Sequence, residues 1–310
     1  WGMGAPSNRR PLIIYERKKK NASMNFSNLI NFFSNFEDNL IIKQIKKQLI
    51  KLVFKDRHTP FKKTKKIYLN KKYFIKNFFY DVYDYSHVNQ IVYSSYEDKH
   101  FLYYINSFKE NENFIDIGSN IGTHSFFILK YLKPKKVISI EPQGLCVYLQ
   151  KKTLEYNNEI NSEKIEFINS AVGYKEKNIK IFRNNSGSGT LINDFGKEYV
   201  DMNNLTVLEV THISIEDIFK KLTNDFTNIK IDTQGSEVKI LEEIYNSDFI
   251  NNISRIIFEI NLNQIDGLKT ILKKYLRKFE LTDFDDSKVL INELHKYVKK
   301  DLILSNISLK

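Results

Sequence analysis

The sequence predicts an α/β fold, a mostly parallel, doubly wound sheet with helices on both faces, preceded by a basic N-terminal helical segment. Three observations carry this. From residue 113 onward, short apolar runs alternate with helical stretches, as strand–helix units of a parallel sheet do. One run, Asn113–Ile117, opens directly into a glycine-containing turn and a helix. Charge is also divided unevenly. Residues 1–100 carry 20 basic and 8 acidic side chains and net +12, whereas residues 101–310 carry 28 and 29 and net −1.

Composition narrows the class. A chain of 310 residues suits one large domain, or one domain with an appendage. Hydrophobic residues at 42% and aromatics at 14% exclude disorder throughout. A single cysteine, Cys146, excludes a disulfide framework and a cysteine-rich zinc site. No apolar run is long enough to span a membrane, and the opening WGMGAPSNRRP lacks the apolar core of a signal peptide, so a cytoplasmic protein is expected. The formal net charge of +11 invites a polyanionic partner. Yet 41 lysines stand against 7 arginines, and A/T-rich codon usage accounts for part of that excess.

Taken in order, residues 1–25 read as an appended remnant or flexible arm. Residues 26–95 read as a basic helical or cap segment. Within it Ile41, Ile42, Ile45, Leu49 and Leu52 recur at helical spacing, with Lys43, Lys46, Lys47 and Lys51 between them. This segment is where an anionic partner would dock. Residues 96–310 form the main domain. A helix over 97–108 leads to strands at 113–117, 136–140, 164–172, 178–183, 206–213, 228–232, 255–261, 279–284 and 301–306. Helices are expected over 123–132, 143–157, 214–222, 236–246 and 264–277.

The strongest motif is Asp116-Ile117-Gly118-Ser119-Asn120-Ile121-Gly122, which joins a buried strand to a helix. Glycines there allow a tight turn and close approach of a ligand to the helix start. An acidic residue before the glycines is poorly placed for a pyrophosphate but well placed for a cationic amino acid group. That favours S-adenosylmethionine. Glu141 ends the next strand, 19 residues after Gly122, where a carboxylate reaches ribose hydroxyls. The pair points to a cofactor bearing adenosine.

These motifs carry a resemblance to a known family. FIDIGSNIGTHS (114–125), ISIEP (138–142), INSAVG (168–173), SGSGTL (186–191), THISIEDIF (211–219), IKIDTQGSEVKILE (229–242) and IIFEI (256–260) occur in the order found in FkbM-type class I methyltransferases. The resemblance covers roughly residues 95–306. It implies a Rossmann-like class I methyltransferase fold and S-adenosylmethionine as methyl donor, with S-adenosylhomocysteine as product. It also implies O-methylation of a small-molecule or glycan hydroxyl. By position it puts Asp116, Gly118, Ser119, Asn120 and Gly122 at the methionine end of the cofactor and Glu141 at the ribose. Ser170 and Ala171 fall near the adenine, Glu97 near the cofactor, and Asp232 at the transferred methyl. Many members carry Glu where this chain has Gln234.

The chemistry asks for a base. A sugar hydroxyl is a poor nucleophile at neutral pH, so a group that accepts its proton should help. Ligands of open parallel sheets bind beyond the carboxyl ends of the strands, where Asp232 and Glu259 sit, with Glu237 five residues past Asp232. Asp232, Glu259 and Glu237 are the catalytic candidates. Glu237 also suits a helix start and Glu259 a lysine partner. His124 and Ser188 are candidate acceptor contacts, the latter in a glycine-rich stretch that reads equally as a mobile loop or a plain turn. No obligatory metal is expected. The competing function is an RNA ribose 2′-O-methyltransferase that binds nucleic acid through the basic front segment.

Overall fold

The computed structural model describes residues 65–69, 78–82, 97–173, 178–183, 189–190 and 206–309. Expectations for residues 1–25, for the 26–55 helix and for Ser188 lie outside the described residues.

The chain runs β1 (Lys65–Leu69), β2 (Phe78–Val82), α1 (Glu97–Ser107), β3 (Asn113–Ile117), α2 (Thr123–Tyr131), β4 (Val137–Ile140) and α3 (Gly144–Tyr156). It continues through β5 (Ile165–Ile168), β6 (Ala171–Val172), β7 (Asn178–Arg183), β8 (Gly189–Thr190), β9 (Thr206–Ile213) and α4 (Ile215–Phe219). It ends with β10 (Thr227–Ile231), α5 (Glu237–Tyr245), β11 (Ile253–Glu259), α6 (Ile265–Tyr275), β12 (Phe279–Thr282) and β13 (Asp301–Asn306).

Seven strands form the central sheet in the order β12-β13-β11-β10-β3-β4-β5. β11, β10, β3, β4 and β5 pair in parallel, and β13 runs antiparallel between β11 and β12. The central strands β3, β4 and β10 are buried at every position, which matches their near-continuous apolar sequence. Chain order reverses between β3 and β10, so a crevice for ligands lies at the carboxyl edge beside this junction.

Alternation along each strand divides the core. Ile115, Ile229, Ile231, Ile256 and Phe258 face Ile240, Leu241 and Leu268 of α5 and α6. Phe114, Ile257 and Ile303 face Phe101 and Tyr104 of α1 and Phe126 and Phe127 of α2. The second face carries Asp116 and Lys230, paired in register on β3 and β10.

Three expectations change. The 164–172 run is not one strand. It breaks after Ile168, and β6 joins a smaller sheet ordered β6-β9-β7-β8. The 206–213 strand belongs to that sheet and not to the central one. The 26–95 stretch, read as a basic helical or cap segment, contains the antiparallel pair β1–β2 at 65–69 and 78–82. Phe78 and Tyr80 of β2 are fully buried, with ring centroids 5.7 and 6.0 Å from Phe126. Asn157, after α3, grips the backbone of Phe79 through both its side-chain oxygen and nitrogen, at 2.8 and 2.7 Å. The core of the main domain therefore begins ahead of residue 96.

Candidate active site

The loop from β3 to α2 is built from buried polar contacts. Asp116 is completely buried, and its Oδ2 accepts from the backbone N–H and hydroxyl of Ser125, at 3.2 and 2.7 Å. Its Oδ1 is buried with no hydrogen-bond partner. Burial pushes the Asp116 carboxyl above its ordinary value, against Lys230 and Ser125. An orphaned buried carboxylate oxygen is costly and suits a cationic ligand group. Gly118 and Gly122 have φ of +79° and +80°, the left-handed region that favours glycine. A Cβ on Gly122 would press on Phe126 and Gln150, so this glycine serves the protein's own packing. Ser119 and Asn120 are held by Gln150, whose Nε2 donates to Ser119 Oγ at 2.9 Å and to the Asn120 carbonyl at 2.6 Å.

Glu141, just past β4, accepts from the backbone N–H groups of Asn120 and Gln143, both at 2.9 Å. It thus ties the glycine loop to the next strand. Each carboxylate oxygen keeps a second lone pair, which a ribose hydroxyl could use. Ser170 Oγ bonds Thr211 Oγ1 at 2.8 Å and Ala171 is buried in β6, so both stand where the two sheets meet. Glu97 is the first residue of α1, and its side chain lies outside the described residues.

The second half of the site gathers around Asp232, which follows β10. Lys230 Nζ donates to Asp232 Oδ2 at 3.0 Å. Gln234 Nε2 donates to Asp232 Oδ1 at 2.9 Å and to Glu259 Oε2 at 3.1 Å. One amide therefore bridges two carboxylates. Lys230 is buried within an apolar strand. Burial opposes its charge, but Asp232, Asp301 and Asp116 outweigh this and hold its pKa above the ordinary value. Among the described residues no three His, Cys, Asp or Glu side chains come together as a metal-ligand set.

Glu237 is fully buried and turned toward its own loop. Oε1 accepts from the N–H and hydroxyl of Thr233, each at 3.0 Å, and Oε2 accepts from the Gly235 N–H at 2.9 Å. It shapes the turn that presents Asp232 and Gln234, the latter at φ +55°. His124 is buried between α1 and α2, with Nδ1 2.8 Å from the Tyr104 hydroxyl. Burial, then Lys230 and His100, push its pKa well below the ordinary value, so it is neutral at pH 7.

Sequence reasoning missed Lys230, His100 and Asp301, and marked Gln234 only as a departure from the pattern of the resemblance. Lys230 left a signal, a lone charge within TNIKI, two residues before Asp232 and so on the same face. His100 Nε2 lies 2.6 Å from Asp301 Oδ2, and both side chains are buried. Asp301 opens β13 opposite Glu259. A contact across 201 residues leaves no local pattern.

The buried acids predict a pH dependence. Glu259 is pushed up to about 8, first by burial and then by Asp232, Asp301 and Glu237, with Lys230 opposing. Glu141 is pushed up to about 7, first by burial, against the N–H groups of Gln143 and Asn120. Acids raised in the folded state bind protons more tightly there than in the unfolded chain. Their stabilisation is complete below the ordinary value of 4.5 and is lost as pH rises through 7 to 8. The melting temperature without ligand should fall as pH is raised from about 5 to about 8.5. Glu259→Gln, which imitates the protonated acid, should flatten part of that fall. An unchanged profile in this variant would place the effect elsewhere.

A doubly wound sheet thus carries an acidic glycine loop, a strand-end glutamate and a carboxylate cluster at one edge. Residues 116–293, more than half of the chain, match the Methyltransferase FkbM domain. The chain belongs to this family. No curated protein matches it. Similar solved structures include the FkbM methyltransferase of Methylobacillus flagellatus KT, 16% identical, covering 71% of this chain and 53% of that one, TM-score 0.42. Another is SMU.1697c of Streptococcus mutans in complex with SAH, 11% identical, covering 68% and 96%, TM-score 0.39. A third is TYW2 of M. jannaschii in complex with AdoMet, 13% identical, covering 80% and 89%, TM-score 0.41. The chain spans about half the length of the Methylobacillus protein.

Proposed function

We propose that the protein transfers a methyl group from S-adenosylmethionine to a hydroxyl of a sugar, glycan or related small molecule, with Asp232 accepting the hydroxyl proton. The observation that carries this reading is the fixed Asp232 carboxylate at the carboxyl end of β10, with both oxygens oriented by Lys230 and Gln234. S-adenosylmethionine supplies a methyl on a sulfonium whose departure as a neutral thioether needs no acid. The protein's task is then alignment of the acceptor and removal of one proton. Asp116 and its unpartnered Oδ1 fit the cofactor's ammonium, and Glu141 fits the ribose hydroxyls. The Lys230 ammonium already supplies the positive charge among Asp116, Asp232 and Asp301, which supports transfer without a metal.

A second reading keeps one supporting observation. A ribose 2′-O-methyltransferase sets lysine beside aspartate, and Lys230 does stand beside Asp232. Lys230, however, is buried and committed to carboxylates, so it is poorly placed to meet an RNA hydroxyl. Labelled methyl transfer to a panel of monosaccharides, oligosaccharides and RNA separates the two. Counts are expected in a saccharide, and counts in RNA alone would overturn the reading.

A further inference from the structure

A cleft of ≈ 460 Å³ opens between α1 and the segments flanking β13, within the range of small-molecule sites. Its floor is the buried His100–Asp301 pair. Its walls include the half-buried rings of Phe284 and Tyr297, and Phe284 packs on His100 with centroids 4.3 Å apart. At its rim Lys99 is paired with Asp285 at 3.0 Å.

Three features connect this cleft to the chemistry. Asp301 stands opposite Glu259 in the β11–β13 register, and Glu259 reaches Asp232 through Gln234. The floor of the cleft and the candidate base are thus linked by adjacent side chains at one sheet edge. Next, apart from Glu97 at the start of α1, the cofactor candidates lie on or after β3, β4 and β5, whereas the cleft lies toward β13 and β12, beyond Asp232. In-line displacement brings nucleophile and leaving group to opposite sides of the methyl, and this layout provides both sides. Last, aromatic walls over a polar floor suit a ring with apolar C–H faces and hydroxyl edges. The rim carries Lys99, Lys299 and Lys300 beside Asp283 and Asp285, with Lys99 paired to Asp285 and Lys300 Nζ 5.5 Å from the Tyr297 ring centroid, so its charge is mixed and not uniformly cationic as a polyanion would want.

We propose that this cleft is the acceptor site, seating a glycosyl ring against Phe284 and Tyr297 with a hydroxyl at the His100–Asp301 pair. The assignment rests on the sugar-methylating reading above. It is tested on the full chain with S-adenosylhomocysteine bound, by saturation-transfer NMR against the methyl glycosides of glucose, galactose, mannose and rhamnose. At least one should receive saturation from the wild-type protein. Phe284→Leu and Tyr297→Leu keep apolar volume but remove a ring face. Each should weaken glycoside binding by about tenfold, the scale of one aromatic contact. Their affinity for S-adenosylhomocysteine, measured by calorimetry, should not change, which also reports an intact fold. If a glycoside binds equally well to both variants, the cleft assignment is overturned and the sugar reading stands. If none binds the wild type and the transfer panel labels RNA alone, both fall.

Discussion

Asp232→Asn is expected to lower kcat by about 10²–10⁴-fold, the usual range for loss of a positioned base. Affinity for S-adenosylmethionine should stay close to wild type. The substitution keeps the shape of the side chain and removes its capacity to take a proton. The buried contacts around it also change, because Lys230 and Gln234 both donate to this carboxylate. An Asn can satisfy one donor through its oxygen but offers N–H groups to the other. Some loss of stability is therefore expected, and the readout must be kcat on folded protein with cofactor bound. Asp116→Asn provides the contrast. Asp116 lies on β3, on the side proposed for the cofactor, and carries the unpartnered Oδ1. Its loss should act first on cofactor affinity. Equal turnover in Asp232→Asn and wild type would remove Asp232 from the chemistry.

The pattern of the site explains what the sequence could and could not reveal. Strands β3, β4, β10 and β13 were readable to within a residue, because each is an apolar run bounded by turns. Asp116, Glu141 and Asp232 could be proposed from the sequence because each ends a strand or nearly so, and strand ends set the ligand edge of this fold. The break after Ile168 was not readable. INSAV continues the apolar alternation, and only the pull of β9 on Ala171 and Val172 turns the chain into another sheet. The hairpin β1–β2 was hidden by lysines, since its burial depends on Phe126 and Asn157 far along the chain.

The same logic applies inside the site. Glu237 sits at a helix start, as the sequence suggested, but only the structure shows both its oxygens turned onto Thr233 and Gly235. Gln234 follows Asp232 by two residues in the turn after β10. Here its amide donates to Asp232 and Glu259 together, which a carboxylate cannot do. The pKa of Glu259 is raised because burial and the neighbouring carboxylates both favour the protonated acid. Within the site, the buried Lys230 answers to Asp232, Asp301 and Asp116.

Gly118→Ala should damage both halves of the site at once. Gly118 holds φ +79°, which costs an alanine about 1–2 kcal/mol. Its added Cβ would also fall 1.9 Å from the Asp232 carbonyl oxygen and 2.7 Å from the carbonyl carbon. Those atoms are backbone and cannot swing aside as a side chain would. Asp232 N donates to Ile117 O at 2.9 Å, so the two segments are laced together at this point. Relief of the overlap must move the end of β10 away from the glycine loop, at a further cost of roughly 1–3 kcal/mol. The sum is about 2–5 kcal/mol, a large share of the stability of an ordinary domain. A fall in melting temperature of roughly 5–15 °C is expected, together with weakened cofactor binding and lower turnover. Gly267→Ala is the control. Gly267 lies within α6 without a positive φ, and its added Cβ would meet only the Val238 side chain, at 3.1 Å. Helix propensity gains about 1 kcal/mol there and tight contact with Val238 offsets it, so little net change is expected. Equal melting temperatures for the two variants would mean that the glycine loop and the end of β10 are not locked together as the structure places them.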